Sequence, residues 1–334
     1  MSGVSSNAGA WSTLLDSATP SRHLPPRAED PRLFECVEFW SGHIAALQPG
    51  RPVLLGFPQD EGVRRNQGRI GAAQAPREIR QWLYRLTPWD GLSGADLSAL
   101  GLLDLGNLHI EGDLEETQWA LGEVVGELLK AGTVPIVLGG GHETAFGHYR
   151  GYVNAHRAVG VINLDAHLDV RPALAGEGHS GSPFRQMMHY QAGPLPGEHY
   201  SCLGAQPHSV SRQHVEYVRQ RGGTIHWASE VQGKLGQYFL NECQRLTARG
   251  AVVYLSLDAD VVRTADVPGV SAPNPSGLAG EEVVVCARLA GATPTVASFD
   301  LVEINPHLDR DGQSARWAAL AVWHFLVGLS QRQA

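Results

Sequence analysis

The sequence predicts an α/β fold, a mostly parallel sheet with helices on both of its faces. Three observations carry that expectation. Eight short apolar runs are spread along the 334 residues, and amphipathic stretches separate them. The runs are continuously apolar rather than alternating, as strands buried on both faces should be. Strand and helix in alternation imply parallel strands joined by crossovers.

The elements follow in chain order. The opening stretch is rich in Ser, Ala, Pro and Gly, so residues 1–33 are expected to form a flexible or irregular arm. A single α/β domain is expected over 34–334, because no internal repeat and no dividing linker is visible. The first strand is expected at Pro52–Phe57. A helix over Pro76–Leu86 follows, with its proline in the first turn. Next come a strand at Gly101–Leu105 and a helix over Asp113–Lys130, whose Leu121, Val124, Val125, Leu128 and Leu129 make one stripe. Strand Val134–Leu138, helix Glu143–Asn154 and strand Val159–Leu164 continue the pattern. Strand Ser201–Gly204, helix Ser211–Arg221, strand Thr224–Trp227 and helix Leu235–Arg249 come next. Strand Val252–Leu257, helix Gly280–Leu289, strand Val296–Leu301 and helix Gln313–Leu329 complete it.

Composition narrows the function. A hydrophobic fraction of 43% supports a sizeable core, and 18% charged residues is too few for a disordered or coiled-coil chain. The net charge of −8, without a Lys/Arg block, argues against nucleic acid as a partner. Cys36, Cys202, Cys243 and Cys286 show no CxxC spacing, so they read as free thiols in a reducing compartment. No signal peptide and no apolar run of membrane length is visible, so the expected location is cytoplasmic, with no membrane partner.

Reactive groups cluster where strands are expected to end, which is where open parallel sheets bind ligands. The segments are Val137-Leu-Gly-Gly-Gly-His142-Glu143, Asn163-Leu-Asp165-Ala-His167-Leu-Asp169, Ser256-Leu-Asp258-Ala-Asp260 and Phe299-Asp-Leu-Val-Glu303-Ile-Asn-Pro306. A less regular fifth is Gly178-His179-Ser-Gly-Ser-Pro-Phe184. In an extended chain, alternate residues point to one side, so Asp165, His167 and Asp169 would converge, as would Asp258 and Asp260. With His142 they gather four carboxylates and two imidazoles in one crevice. Such a set repels itself unless cations enter, and two divalent ions offset four negative charges. Oxygen-rich ligation with some imidazole and no thiolate suits manganese, with zinc as the alternative. Two neighbouring ions can hold a shared water as hydroxide, a nucleophile for a planar carbon.

These motifs resemble those of the ureohydrolase family, which contains arginases, agmatinases and formimidoylglutamases. The resemblance runs from about Val53 to about Ala321 and rests on GGGHE, NLDAHLD, SLDAD and VEINP in that order. It implies a three-layer α/β/α sandwich around a mainly parallel eight-stranded sheet, and a homo-oligomer. It implies that His142, Asp169 and Asp258 hold one metal ion, most often Mn2+, and that Asp165, His167 and Asp260 serve the other, with some carboxylates bridging. Glu303 matches the acid that receives a cationic guanidine or amidine. Asp266 is displaced from the family's third aspartate and is not assigned as a ligand. His179 stands near the family's proton-shuttling histidine, although Ser180 rather than glycine follows it.

Within the family, Asp60–Arg69, Asp169-Val-Arg171-Pro172, His179–Phe184 and Asp311–Arg316 look like the formimidoylglutamase branch. That resemblance implies hydrolysis of N-formimidoyl-L-glutamate to L-glutamate and formamide by a metal-bridging hydroxide. Asp260 or His179 would pass a proton to the leaving nitrogen. The two carboxylates of such a substrate suit arginine. Arg64, Arg65, Arg69 and Arg171 are the candidates, with Gln206 as a polar contact. The rival readings are a urea-releasing enzyme acting on agmatine, guanidinobutyrate or arginine, a zinc deacetylase, and a non-catalytic metal-binding protein.

Overall fold

A computed structural model of the chain describes residues 9–16 and 29–333. Ten strands run β1 (Leu15–Asp16), β2 (Glu38–Phe39), β3 (Pro52–Gly56), β4 (Leu103–Leu108), β5 (Val134–Leu138), β6 (Val159–Leu164), β7 (Tyr200–Ala205), β8 (Thr224–Trp227), β9 (Val252–Asp258) and β10 (Val296–Val302). They form one sheet of order β1-β4-β3-β5-β10-β9-β6-β7-β8, with β2 also paired to β4. The eight strands expected from the sequence are β3 to β10, and every pairing among them is parallel.

The two additional strands have two residues each, too short to show an apolar run. Of the stretch expected to be an arm, residues 1–8 and 17–28 lie outside the described residues. Residues 10–16 are regular: a 3-10 turn leads into β1, which pairs antiparallel to β4. Trp11 is buried there and packs on Trp40 at a ring-centroid distance of 5.5 Å. Strand β4 extends to Leu108, beyond the expected Leu105, although Gly106 and Asn107 look like a turn. Arg80 explains this, because its guanidinium meets Asn107 Oδ1 at 2.7 Å and Asp104 at 2.8 and 3.0 Å. The polar residues of the strand are thereby paired in the interior.

The helices are α1 (Glu61–Arg65), α2 (Ala75–Leu83), α3 (Leu114–Lys130), α4 (Thr144–Asn154), α5 (Pro183–Met188), α6 (Arg212–Gln220), α7 (Ala228–Val231), α8 (Leu235–Thr247), α9 (Gly280–Ala292) and α10 (Gln313–Ser330). Only α1, α5 and α7 were not expected. Each has six residues or fewer, less than two turns of periodic signal. Helix α3 begins with a reciprocal cap between Asp113 and Glu116, a device that stabilises a helix by about 1 kcal/mol.

Two apolar cores make three layers. Helices α2 and α7 to α10 contribute to one core, and α3 to α6 to the other. The strands supply both by alternation: Leu54, Ile136, Leu255 and Phe299 face the first, and Val53, Leu55, Val137 and Tyr254 the second. Phe325 of α10 stacks on Phe299 with centroids 4.9 Å apart, and burying such a ring stabilises by about 1.5–3 kcal/mol. No helix among the described residues is long and apolar enough to cross a membrane.

The topology determines where chemistry can occur. Strands β5, β10, β9 and β6 are consecutive neighbours at the middle of the sheet, so their carboxyl ends share one edge. Each of the four main motifs leaves one of these strands.

At the far edge, Glu242 of α8 ties β7 and β8 together. It accepts hydrogen bonds from Ser201, from His226 at 3.0 Å and from Arg245 at 2.6 Å. Burial opposes ionisation, but these donors prevail and hold the Glu242 carboxyl down at about 2. The unfolded chain therefore binds this proton first as pH falls. The stabilisation is complete above about pH 4.5 and disappears as pH falls through about 2. Denaturant unfolding of Glu242→Gln is expected to lack this share of the acid-dependent loss, on the order of 2 kcal/mol after allowance for solvent screening. A pH profile matching wild type would contradict the assignment.

Candidate metal centre

The first ligand group begins at the end of β5. The chain leaves Leu138 through Gly139-Gly140-Gly141 and delivers His142 just before α4. Gly140 is required by close approach, since a Cβ there would lie 1.8 Å from the carbonyl oxygen of Gln59. His142 is fully buried. Its Nδ1 lies 2.9 Å from Asp169 Oδ2, 3.0 Å from Asp258 Oδ2 and 3.4 Å from Asp165 Oδ2. That nitrogen nevertheless makes no hydrogen bond with proper geometry. A buried nitrogen aimed at three carboxylates without a bond to any of them is the arrangement a cation would complete.

The second group lies across Asp165. His167 Nδ1 is 3.1 Å from Asp260 Oδ2 and 3.4 Å from Asp165 Oδ1. His142, Asp165, Asp169 and Asp258 can hold one ion, and Asp165, His167 and Asp260 another, with the ligand atoms of each group within 4.8 Å of one another. The family resemblance places Asp165 with His167 and Asp260 and leaves open which carboxylates bridge. In the structure its two oxygens face different histidines, His142 and His167, and Asp165 is common to both ligand groups. Asn163 Nδ2 and the His167 main-chain N–H donate to those same oxygens at 3.0 and 2.6 Å and fix their orientation.

Charge explains what the site requires. Burial and the neighbouring aspartates push Asp258 well above the usual carboxylate range and Asp260 up to about 6. Burial would also raise Asp165, but His142 and His167 outweigh it and hold Asp165 below the usual range. Burial would lower His142, yet Asp165, Asp169 and Asp258 overcome it and hold the imidazole well above the ordinary histidine value. A cation entering the crevice would relieve the same repulsion. Divalent ions compete for the same lone pairs, and the donor set of carboxylate oxygens and two imidazole Nδ1 atoms fits Mn2+.

Glu303 closes the β10 side of the crevice. Its Oε1 accepts the His142 main-chain N–H at 2.8 Å, and its own N–H donates to Gly140 at 2.7 Å. Burial first, then Asp260 and Asp169, raise its carboxyl to about 8. Both Glu303 (φ 66°) and Asp169 (φ 44°) occupy the left-handed backbone region, an arrangement that costs of order 1–3 kcal/mol per residue.

The other expected contacts separate into two kinds. His179 is buried, but Gly181 N–H donates to its Nδ1 at 3.2 Å and its Nε2 meets the Pro172 carbonyl at 3.1 Å. Both ring nitrogens are engaged within the loop. Arg69 donates to the Ser271 and Val270 carbonyls, so it ties two loops together. Arg65 is taken up by Glu115, Glu61 and the Gly178 carbonyl, and Arg64 by Glu61. Gln206 is buried and donates to the Ser276 carbonyl at 2.8 Å. Arg171 differs: it is exposed, and among the described residues its Nη1 meets the neutral Asn66 Oδ1, at 3.0 Å. Asp266 pairs with Arg263 and caps α9 through Gly280 N–H, apart from both ligand groups.

Sequence reasoning gave no role to Glu143. It is fully buried, accepts Gly62 N–H at 2.9 Å and so ties α1 to the glycine loop. Its position directly after His142 in a glycine-rich turn was the available signal.

A shared carboxylate has a stoichiometric consequence. Asp165→Ala is expected to lose both ions, whereas His167→Ala loses one. Metal content after gel filtration measures this, and two ions retained on Asp165→Ala would overturn the shared role.

A formimidoylglutamase of Klebsiella pneumoniae (strain 342) is 34% identical, with 95% of each chain covered. One from Chromobacterium violaceum is 36% identical over 86% of this chain and 92% of that one. The crystal structure of Trypanosoma cruzi formiminoglutamase with Mn2+2 superposes with a TM-score of 0.83 at 34% identity, covering 91% of this chain and 99% of that one. The formimidoylglutamase of Bacillus subtilis gives 0.84 at 25% identity, covering 95% and 97%. The model of the Arginase family matches residues 51–328, a span that takes in every ligand group described above, and the chain belongs to that family.

Proposed function

We propose that this chain hydrolyses a linear amidine, N-formimidoyl-L-glutamate, to L-glutamate and formamide, as the names of its relatives suggest. The observation that carries the chemistry is Asp165 standing between two ligand groups, with Glu303 buried beside them. When bound, the two ions supply an activated water and stabilise the charge that develops on the substrate. His142, Asp165, Asp169 and Asp258 hold one ion, and Asp165, His167 and Asp260 the other.

The remaining work falls to side chains. Glu303 receives the amidinium, whose positive charge brings the raised carboxyl back to its ionised form. The His142 N–H bond orients it for that contact. Water adds its oxygen to the formimidoyl carbon, and the bond from that carbon to the glutamate nitrogen breaks. Asp260 takes one water proton and passes it to the leaving nitrogen, and the proton of the hydroxyl added to carbon follows to the released amine as the formamide carbonyl forms. Arg171 receives a substrate carboxylate, since among the candidate arginines its guanidinium faces no acid in the hydrogen bonds and ion pairs described. Gln206, whose main-chain N–H donates to the Ala166 carbonyl between Asp165 and His167, is the further polar contact. Arg69 acts indirectly, by holding the 270 loop.

The unit over 34–334 is proposed to act as one domain. A cytoplasmic location rests on four free cysteines, three of them buried. A homo-oligomer rests on the family resemblance, and the absence of a nucleic-acid partner on the acidic net charge.

Product release is tested with manganese-loaded protein on formimidoylglutamate, agmatine, guanidinobutyrate and arginine. Formamide and glutamate are expected from the first, with little urea from the others. Urea as the main product would replace the substrate and keep the metal centre. Arg171→Ala is expected to raise KM for formimidoylglutamate roughly 10- to 100-fold with kcat little changed, the loss of a charge-assisted contact worth about 2 kcal/mol. An unchanged KM would remove Arg171 from the pocket.

A further inference from the structure

Beneath His142 lies a buried polar network that the mechanism above does not use. Asp300 of β10 is fully buried. It accepts three hydrogen bonds: from Ser256 Oγ at 2.7 Å, from Tyr254 Oη, and from His148 Nδ1 at 3.0 Å. The other His148 nitrogen meets Ser298 Oγ at 2.8 Å, and Ser298 Oγ meets Tyr152 Oη at 2.6 Å. At the opposite end, His142 Nε2 meets Ser256 Oγ at 3.0 Å.

Donor counting orders this chain. A carboxylate only accepts, so the Ser256 hydroxyl proton is committed to Asp300. The Ser256 oxygen then presents a lone pair, and His142 Nε2 must be the donor to it. That leaves Nδ1 as the nitrogen facing Asp165, Asp169 and Asp258. The same carboxylate fixes the backbone behind the ligand, because His148 lies on α4, the helix that starts two residues after His142, and pins it to β10. Seating these six polar side chains in the interior is costly unless each is paired.

We infer that Asp300, held by His148 and Tyr254 and acting through Ser256, is a positioning residue that aims His142 and thereby sets the affinity of one of the two ions. The inference rests on the two-ion centre proposed above. Among the described residues its one hydrogen-bonded link to a ligand side chain runs through Ser256 to His142, and its link through His148 reaches α4 just behind that same residue, so its effect should fall on the His142 group and spare that of His167.

The test is Mn2+ binding to the full chain, followed by calorimetric titration and by electron paramagnetic resonance. Wild type is compared with Asp300→Asn, Ser256→Ala and the double variant. Wild type should bind two ions with a spin-coupled spectrum; fewer than two would overturn the two-ion centre and this inference with it. With two ions in wild type, each single variant is expected to weaken one ion roughly 10- to 100-fold and spare the other. At one equivalent of Mn2+ the spectrum becomes that of an isolated ion. The double variant should be no weaker than the worse single one, because both act along one chain. Wild-type affinities in both single variants, equal weakening of both ions, or additive losses would overturn the inference. If Asp300→Asn does not fold, Ser256→Ala carries the same two outcomes, weakening of one ion supporting the inference and unchanged affinities overturning it.

Discussion

Mutual repulsion among five carboxyl groups governs this molecule. Asp165, Asp169, Asp258, Asp260 and Glu303 stand at the ends of three adjacent strands, with His142 leaving a fourth beside them. In water such groups would separate. Here parallel strands buried on both faces hold them in place, and burial raises the cost of every uncompensated charge. The raised carboxyls of Asp258, Asp260 and Glu303 are the signature of that cost. A centre of this kind is stable only when positive charge enters it, so cation binding and the geometry of the fold depend on each other.

The sheet order supplies what the chemistry requires. Strand β10 lies between β5 and β9, and β6 follows β9, so four sequence-distant motifs meet at one edge. Left-handed backbone at Asp169 and Glu303 turns their side chains back into the crevice at a local cost. The cores on either face supply the rigidity that maintains it. Loops after these strands are held by fixed contacts rather than left open: Glu143 holds α1, Arg69 holds the 270 loop, and His179 holds its own turn.

Much of this was legible in the sequence, for identifiable reasons. Strands buried on both faces leave continuous apolar runs, so β3 and β5 to β10 were found close to their true limits. The alternation of Asp165, His167 and Asp169 exposed the ligand set because side-chain direction in an extended chain has period two. What could not be read depends on three-dimensional pairing. Nothing in the spacing shows that Asp165 faces both groups, or that Arg69 spends its donors on Val270 and Ser271 while Arg171 does not. The short helices α1 and α5 lack a period to detect. Strand β4 was cut short because its Gly106 and Asn107 look like a turn until Arg80, a helix residue, is seen to pair with them. Asp300 was visible as an acid within an apolar run, but its partners Ser256 and His148 come from another strand and another helix.

Asp165 is proposed as the carboxylate shared between two ions. Anomalous diffraction at the manganese edge from Mn2+-soaked crystals tests it most directly. Two peaks are predicted, one among His142, Asp165, Asp169 and Asp258, the other among Asp165, His167 and Asp260, with the two oxygens of Asp165 turned to different ions. A single peak, or two peaks of which one has no Asp165 oxygen as a ligand, would contradict it.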